Sequence, residues 1–112
     1  MGEVNFFKVK DLKVKEVLED SSIRVVTNKN TMVSFFEFGP KTKIMPRHQH
    51  PHEQISFVLE GSTKMTVGEE SKILKIGEGV VIPPNIEHEA IPLELHTKIM
   101  DVFYPIRQEY LE

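Results

Sequence analysis

Residues 47–54 read Arg-His-Gln-His-Pro-His-Glu-Gln and hold three of the five histidines in the chain. These histidines occupy alternate positions, and residues two apart on an extended strand point to the same face. His48 and His50 can therefore direct two imidazoles to one point. Imidazole nitrogen is a common ligand of Zn, Ni, Cu and Fe and, less selectively, of Mn. Taken alone, the segment indicates either a metal site or a histidine-rich loop in solvent.

The composition narrows the chemistry in which these histidines can take part. The 112 residues include no cysteine, which excludes thiol nucleophiles, thiolate zinc sites and iron–sulfur ligation. Fourteen Lys and Arg residues against seventeen Asp and Glu residues leave a net charge of −3, so nucleic acid is not an expected partner. The sequence has no signal peptide and no apolar run near the roughly 20 residues of a membrane span. We expect one cytoplasmic domain without a membrane partner.

Turn-forming residues divide most of the chain into short runs rich in β-branched and aromatic residues, which are typical of strands. The predicted strands are Ser22–Thr27, Thr31–Phe38, Gln54–Glu60, Ser62–Val67, Ser71–Ile76, Val80–Ile82, His88–Ile91 and Leu95–Tyr104. About eight antiparallel strands without a long amphipathic helix predict an all-β barrel or jelly roll, which leaves few open sheet edges. Residues 1–20 form an N-terminal arm whose apolar spacing fits neither helix nor strand.

The residues that follow the histidines complete a longer pattern. Downstream of His50 come, at fixed spacing, Gln54, Gly61, Gly77, Pro83, Asn85 and His88. This pattern resembles the two motifs of the cupin superfamily, G-x5-H-x-H-x3,4-E-x6-G and G-x5-P-x-G-x2-H, over residues 39–88. The resemblance implies a single-domain cupin jelly-roll β-barrel over residues 1–112.

The chain departs from the cupin motifs at three positions. Gly39 lies three residues further from the first histidine than the motif has it, Gln54 replaces the usual Glu, and Asn85 replaces a Gly. Asn also tolerates a tight turn. If the second and third histidines formed the ligand pair, the acidic position would fall on Ser56 or Phe57, and neither is a credible ligand.

The metal ligands that best fit the motifs are His48, His50, Gln54 and His88. Together they would hold one divalent ion (Ni, Mn, Fe or Zn). His52 and His96 are expected at the rim or the surface. Three imidazoles and an amide leave the charge of the ion uncompensated, which favours an anionic oxygen from a small ligand or sugar acid.

Asp101 is the second residue with possible chemistry. Residues 95–104 alternate with period two, and one face of this segment carries Leu95, Thr97, Ile99, Asp101 and Phe103. A buried carboxylate is costly unless it is paired or used in chemistry. Asp101 therefore either points outward, pairs with Arg107, or approaches the metal site as a general acid and base. In the last case Arg107 can clamp a carboxylate with two hydrogen bonds.

A narrower resemblance rests on the segments 48–55, 58–61, 83–88 and 101–107. They are similar to the small cupins of pectin and alginate catabolism, which convert 4,5-unsaturated monouronates to their linear keto forms. The resemblance implies metal-assisted proton transfer on a small anionic sugar derivative. It implies that Asp101 transfers the proton and that Phe103 and Arg107 contact the substrate. Glutamine as the fourth ligand agrees with this subgroup.

Two other functions remain open at this stage. A dioxygenase would use the same ligands with Fe, Mn or Cu. A non-catalytic module would use the barrel only to bind a small molecule. A homodimer is expected in each case, because residues 95–104 have a second apolar face made by Met100, Val102 and Tyr104.

Overall fold

The computed structural model describes residues 3–112, which form ten strands and two short 3-10 helices. The strands are β1 (Lys15–Val17), β2 (Ser21–Thr27), β3 (Met32–Glu37), β4 (Met45–His48), β5 (Glu53–Glu60), β6 (Ser62–Val67), β7 (Glu70–Lys75), β8 (Gly79–Ile82), β9 (His88–Pro92) and β10 (Lys98–Tyr104). The helices are Val9–Asp11 and Gln108–Tyr110. The prediction of an all-β fold is confirmed. Among the described residues, no helix is long and apolar enough to cross a membrane.

The strands form two antiparallel sheets that pack as a jelly roll. One sheet has six strands in the order β1-β2-β3-β10-β5-β8, and the other has four in the order β4-β9-β6-β7. In β3, Met32, Ser34 and Phe36 are buried while the residues between them are only half-buried. This alternation turns one face of the six-stranded sheet toward the barrel interior. Both sheets contribute to the buried core, which contains Ile23, Phe36, Phe38, Val58, Met65, Leu74, Ala90 and Ile99.

Three details differ from the sequence prediction. Residues 45–48 form β4, which was not predicted because Pro46 and Arg47 interrupt the apolar alternation. The last strand begins at Lys98 instead of residue 95, because His96 has a positive φ of 61° and the chain turns there. Leu95, which the period-two spacing placed on the same face as Asp101, is consequently 69% exposed. The N-terminal arm contains both a 3-10 turn and β1, which pairs with β2.

The turn at Asn85 brings the two histidine-bearing motifs together at one end of the barrel. Asn85 has a φ of 62°, so it adopts the left-handed conformation for which the motif has glycine. Its backbone N–H donates to the carbonyl of His50 at 2.8 Å. The loop after β4 is therefore attached directly to the turn before β9.

Candidate metal centre

Three histidines from different parts of the fold meet at the end of the barrel where the motif loops lie. His48 at the end of β4 pairs with His88 at the start of β9 across the four-stranded sheet, and their ring centroids are 4.3 Å apart. His50 follows in the loop, 5.0 Å from the ring of His88. One ring nitrogen of each histidine lies within 4.8 Å of the others. His48 and His50 converge because of this loop, since β4 ends before His50 and the expected shared strand is absent.

The Nδ1 atom of each of the three imidazoles faces a backbone carbonyl, so the three rings share one tautomer. The Nδ1 of His48 lies 2.7 Å from the carbonyl of Pro46, and that of His88 lies 2.8 Å from the carbonyl of Ile86. The Nδ1 of His50 lies 3.1 Å from the carbonyl of His52. A carbonyl only accepts, so each Nδ1 carries the hydrogen and each Nε2 keeps its lone pair. Such backbone contacts commonly orient metal-ligating histidines.

Gln54 adds a fourth donor atom to this group. Its amide nitrogen donates to Ser56 Oγ at 2.9 Å and to Asp101 Oδ1 at 3.2 Å, which orients the amide. Its Oε1 then faces His50 Nε2 at 2.9 Å, although neither atom has a hydrogen for the other. His88 Nε2 is buried without a partner. A cation shared by these atoms would resolve both features, so the residues fit a divalent metal ion.

The pKa shifts of the buried histidines agree with this arrangement. Burial lowers the pKa of His88 to about 4. Burial also lowers the pKa of His50, and the charge of Arg107 adds to the effect. Both imidazoles are therefore neutral at pH 7, which is the form that binds a metal ion.

Asp101 points into the barrel beside the histidines and Gln54. In β10 it lies directly opposite Ser34 of β3 and Ser56 of β5. Ser34 Oγ donates to Asp101 Oδ2 at 3.2 Å, and Ser56 Oγ donates to Oδ1, the oxygen that also accepts from Gln54. Burial raises the pKa of Asp101, and these hydrogen bonds partly oppose the shift. Within residues 3–112 no ion pair joins Asp101 to Arg107. Of the three interpretations that the sequence left open, Asp101 pointing outward and Asp101 pairing with Arg107 are therefore excluded, and its approach to the histidine site remains.

Phe103 and Arg107 complete the group of predicted site residues. Phe103 is buried, and its ring centroid lies 5.9 Å from that of His50. The guanidinium carbon of Arg107 lies 5.2 Å from the Phe103 centroid. A cavity inside the barrel is lined by His48, Gln54, His88, Asp101, Phe103 and Arg107. All seven residues singled out from the sequence thus belong to one connected group.

The two remaining histidines lie outside this group of donor atoms. His52 is half-buried, and its ring centroid lies 5.2 Å from that of His50. The side chain of His96 is 70% exposed and lies near Glu37.

Sequence reasoning missed four residues that contact the site. Ser34 and Ser56 had a usable signal, because each is a polar residue at an inward position of an alternating strand. Glu109 and Tyr110 had none, since they follow the last strand in a short segment without periodicity. Both contact the guanidinium of Arg107.

A jelly roll of two antiparallel sheets with histidines from two separate motifs at one end is the architecture of the cupins. The cupin domain model matches residues 34–100, which is more than half of the chain, and the chain belongs to this family.

One sequence relative and two solved structures are similar to this chain over most of its length. The pectin degradation protein KdgF of Dickeya dadantii (strain 3937) is 28% identical over 89 residues, covering 79% of this chain and 81% of that protein. The structure of KdgF from Halomonas sp. superposes with a TM-score of 0.89 at 24% identity, covering 96% of this chain and 99% of that one. An RmlC-like cupin from Shewanella frigidimarina NCIMB 400 has a TM-score of 0.86 at 22% identity, with 96% of each chain covered. The chain is a small cupin that resembles KdgF.

Proposed function

We propose that this protein is a metal-dependent enzyme that converts a small anionic sugar derivative, such as a 4,5-unsaturated monouronate, to its linear keto form. One observation carries the proposal: the Asp101 carboxyl, whose pKa is raised by burial, is hydrogen-bonded to the same amide that faces the histidine cluster. The similarity to a pectin degradation protein supports a uronate as the substrate class.

The metal ion would be held by the three Nε2 atoms and the Gln54 oxygen. When bound, it supplies Lewis acidity that stabilises negative charge on a substrate oxygen. All four donors are neutral, so an anionic oxygen of the substrate is favoured at this position. The substrate oxygen that becomes negative as the ring opens is such an oxygen, and the carboxylate of the sugar acid is left for Arg107.

Asp101 would carry the proton that the reaction moves. The conversion is an isomerisation: the anomeric hydroxyl loses a proton, the bond from the anomeric carbon to the ring oxygen breaks, and a carbon of the former double bond gains a proton. No oxidant or reductant is needed. A carboxyl with a raised pKa can both accept and return a proton near neutral pH. Hydrogen bonds from Ser34, Ser56 and Gln54 hold it in place.

Arg107 and Phe103 would bind the substrate within the same cavity. The guanidinium of Arg107 can bind a carboxylate with two parallel hydrogen bonds. The buried ring of Phe103 supplies an apolar surface beside it.

The test is an ultraviolet assay for loss of the unsaturated uronate, combined with elemental analysis of the purified protein. Protein reconstituted with Ni, Mn, Fe or Zn is expected to consume the uronate under air and under nitrogen alike, and chelator-treated protein is not. Oxygen uptake that stops under nitrogen would indicate a dioxygenase instead. Uronate binding without turnover with any of the four metals would indicate a binding module.

We also propose that the protein forms a homodimer through the outer face of the six-stranded sheet. Cross-strand pairing aligns one β-branched residue from each of five neighbouring strands in a row, namely Val26, Val33, Val102, Ile55 and Val81. Ile55 is 50% exposed and Val81 is 68% exposed. A continuous apolar row on a surface favours a partner, and a second copy carries the matching row.

A further inference from the structure

Arg107 is a buried cation whose counter-charge comes from the C-terminal segment. Its side chain is 9% exposed, and Glu109 Oε1 lies 2.7 Å from both its Nε and its Nη2. Asp101 does not fill this role, because its oxygens accept from Ser34, Ser56 and Gln54. The side chain of Glu109 is 58% exposed, so an otherwise solvated carboxylate neutralises a buried guanidinium.

Tyr110 holds the same guanidinium from a second direction. Arg107 Nη1 donates to the Tyr110 hydroxyl at 3.0 Å. The guanidinium carbon lies 4.3 Å from the centroid of the Tyr110 ring, and this ring packs 5.9 Å from that of Phe103. Stacking on an aromatic face and a hydrogen bond at one nitrogen together fix the plane of the guanidinium.

Counting donors shows which edge of Arg107 is left for a ligand. A guanidinium has five N–H groups. Nε and one N–H of Nη2 face Glu109, and one N–H of Nη1 donates to Tyr110. One N–H remains on each terminal nitrogen. N–H groups on these two neighbouring nitrogens can together bind the two oxygens of a carboxylate.

The segment that carries these contacts is itself anchored. The backbone N–H of Tyr110 donates to the carbonyl of Arg107 at 3.1 Å, which closes a short turn. Lys15 Nζ at the start of β1 donates to the Tyr110 carbonyl at 3.1 Å. The turn is therefore attached to the six-stranded sheet, and its contacts in turn restrain the side chain of Arg107.

We propose that Glu109 and Tyr110 are positioning residues that hold the free edge of the Arg107 guanidinium toward the carboxylate of the substrate. The inference rests on the proposed function and deepens it. It assigns recognition of the substrate carboxylate to Arg107, Glu109 and Tyr110 of the C-terminal turn, whereas proton transfer remains with Asp101.

The experiment compares Tyr110→Phe, Glu109→Ala and Glu109→Gln with Gln108→Ala, an exposed control in the same turn. Metal-loaded protein is assayed for kcat and KM on an unsaturated monouronate. Its affinities for galacturonate and for galactose, which lacks the carboxylate, are measured by calorimetry. Removing the Tyr110 hydroxyl or the Glu109 carboxylate from Arg107 is expected to raise KM and weaken galacturonate binding about three- to tenfold. We expect kcat to stay within about twofold and galactose binding to be unchanged, since only ground-state recognition of the carboxylate is altered.

Glu109→Gln is expected to recover most of the affinity that Glu109→Ala loses, because its amide oxygen can accept the same hydrogen bond. If both Glu109 variants bind galacturonate more tightly than the wild type, Glu109 competes with the substrate and the inference is overturned. Equal losses for galacturonate and galactose would also overturn it. Galacturonate binding without turnover of the unsaturated uronate would overturn the proposed function alone, whereas a wild type that binds neither uronate would overturn both.

Discussion

Replacing Gln54 with Glu tests the arrangement at the point where the candidate ligands meet the Asp101 carboxyl. The amide nitrogen of Gln54 donates to Asp101 Oδ1 at 3.2 Å and to Ser56 Oγ at 2.9 Å. A carboxylate has no hydrogen to donate. Gln54→Glu therefore turns a hydrogen bond to Asp101 into a contact between two negative oxygens.

The size of the effect follows from this distance. Two unit charges 3.2 Å apart repel by about 5 kcal/mol at an effective dielectric constant of about 20. The native protein can avoid this cost by keeping one proton on the pair. For a carboxyl with an ordinary pKa near 4, holding the proton costs about 4 kcal/mol at pH 7 and about 1.4 kcal/mol at pH 5.

We therefore expect the free energy of unfolding of the metal-free variant to fall by up to about 4 kcal/mol at pH 7 and about 1.4 kcal/mol at pH 5. The loss grows with pH because the native pair keeps a proton that the unfolded chain has released. Both values are upper bounds, since burial already raises the pKa of Asp101 in the wild type.

The assay is urea unfolding of chelator-treated protein at the two pH values, followed by circular dichroism. Gln49→Glu is the matched control, because it makes the same substitution at an exposed position near the histidines. If the two variants are equally stable at both pH values, Gln54 does not face Asp101 and the reasoning is refuted. With metal present, Gln54→Glu is expected to bind the ion more tightly than the wild type, because the new carboxylate supplies a negative ligand.

Asp101→Asn removes the titratable group, so kcat on an unsaturated monouronate is expected to fall at least about 100-fold with unchanged metal content; wild-type turnover in this variant would exclude Asp101 from proton transfer. The pKa of His88 lies below the ordinary value of 6.5, at about 4. The metal-free protein should therefore lose up to about 3 kcal/mol of stability through His88 as pH falls between these values, with a further loss through His50, whose pKa is also lowered. His88→Ala should remove the His88 part of this dependence and abolish metal binding in calorimetry. Val81→Lys places a charge in the outer apolar row and is expected to convert the dimer to a monomer in light scattering, with its melting temperature within a few degrees; a monomeric wild type would contradict the dimer proposal.

The strands with strong alternation were predictable from the sequence, because one of their faces is buried against the other sheet. Strand β4 was not predictable, since it contains Pro46 and Arg47 and pairs only irregularly with β9. The convergence of His48 and His50 was predicted for the wrong reason. A strand was expected to align them, whereas a loop anchored by Asn85 does so.

The candidate site was predictable as a set of residues but not as a set of contacts. Period-two spacing placed Asp101 on one of two faces, and only the pairing of β10 between β3 and β5 shows which serines lie beside it. The ion-pair partner of Arg107, Glu109, was also not predictable from the sequence. It depends on how the chain turns after the last strand, and short irregular turns have no periodic signal.

The candidate ligands come from both halves of the barrel, and this has a mechanical consequence. His48 and His88 belong to the four-stranded sheet, and Gln54 belongs to the six-stranded one. An ion bound to all three would act as a crosslink that limits how far the two sheets can separate at this end. Strand β4 would be stabilised most against local opening, because it is an edge strand whose pairing with β9 is interrupted. Its amide hydrogens should then exchange with solvent much more slowly once the metal is bound, whereas those of β7 at the opposite edge of the same sheet should change little.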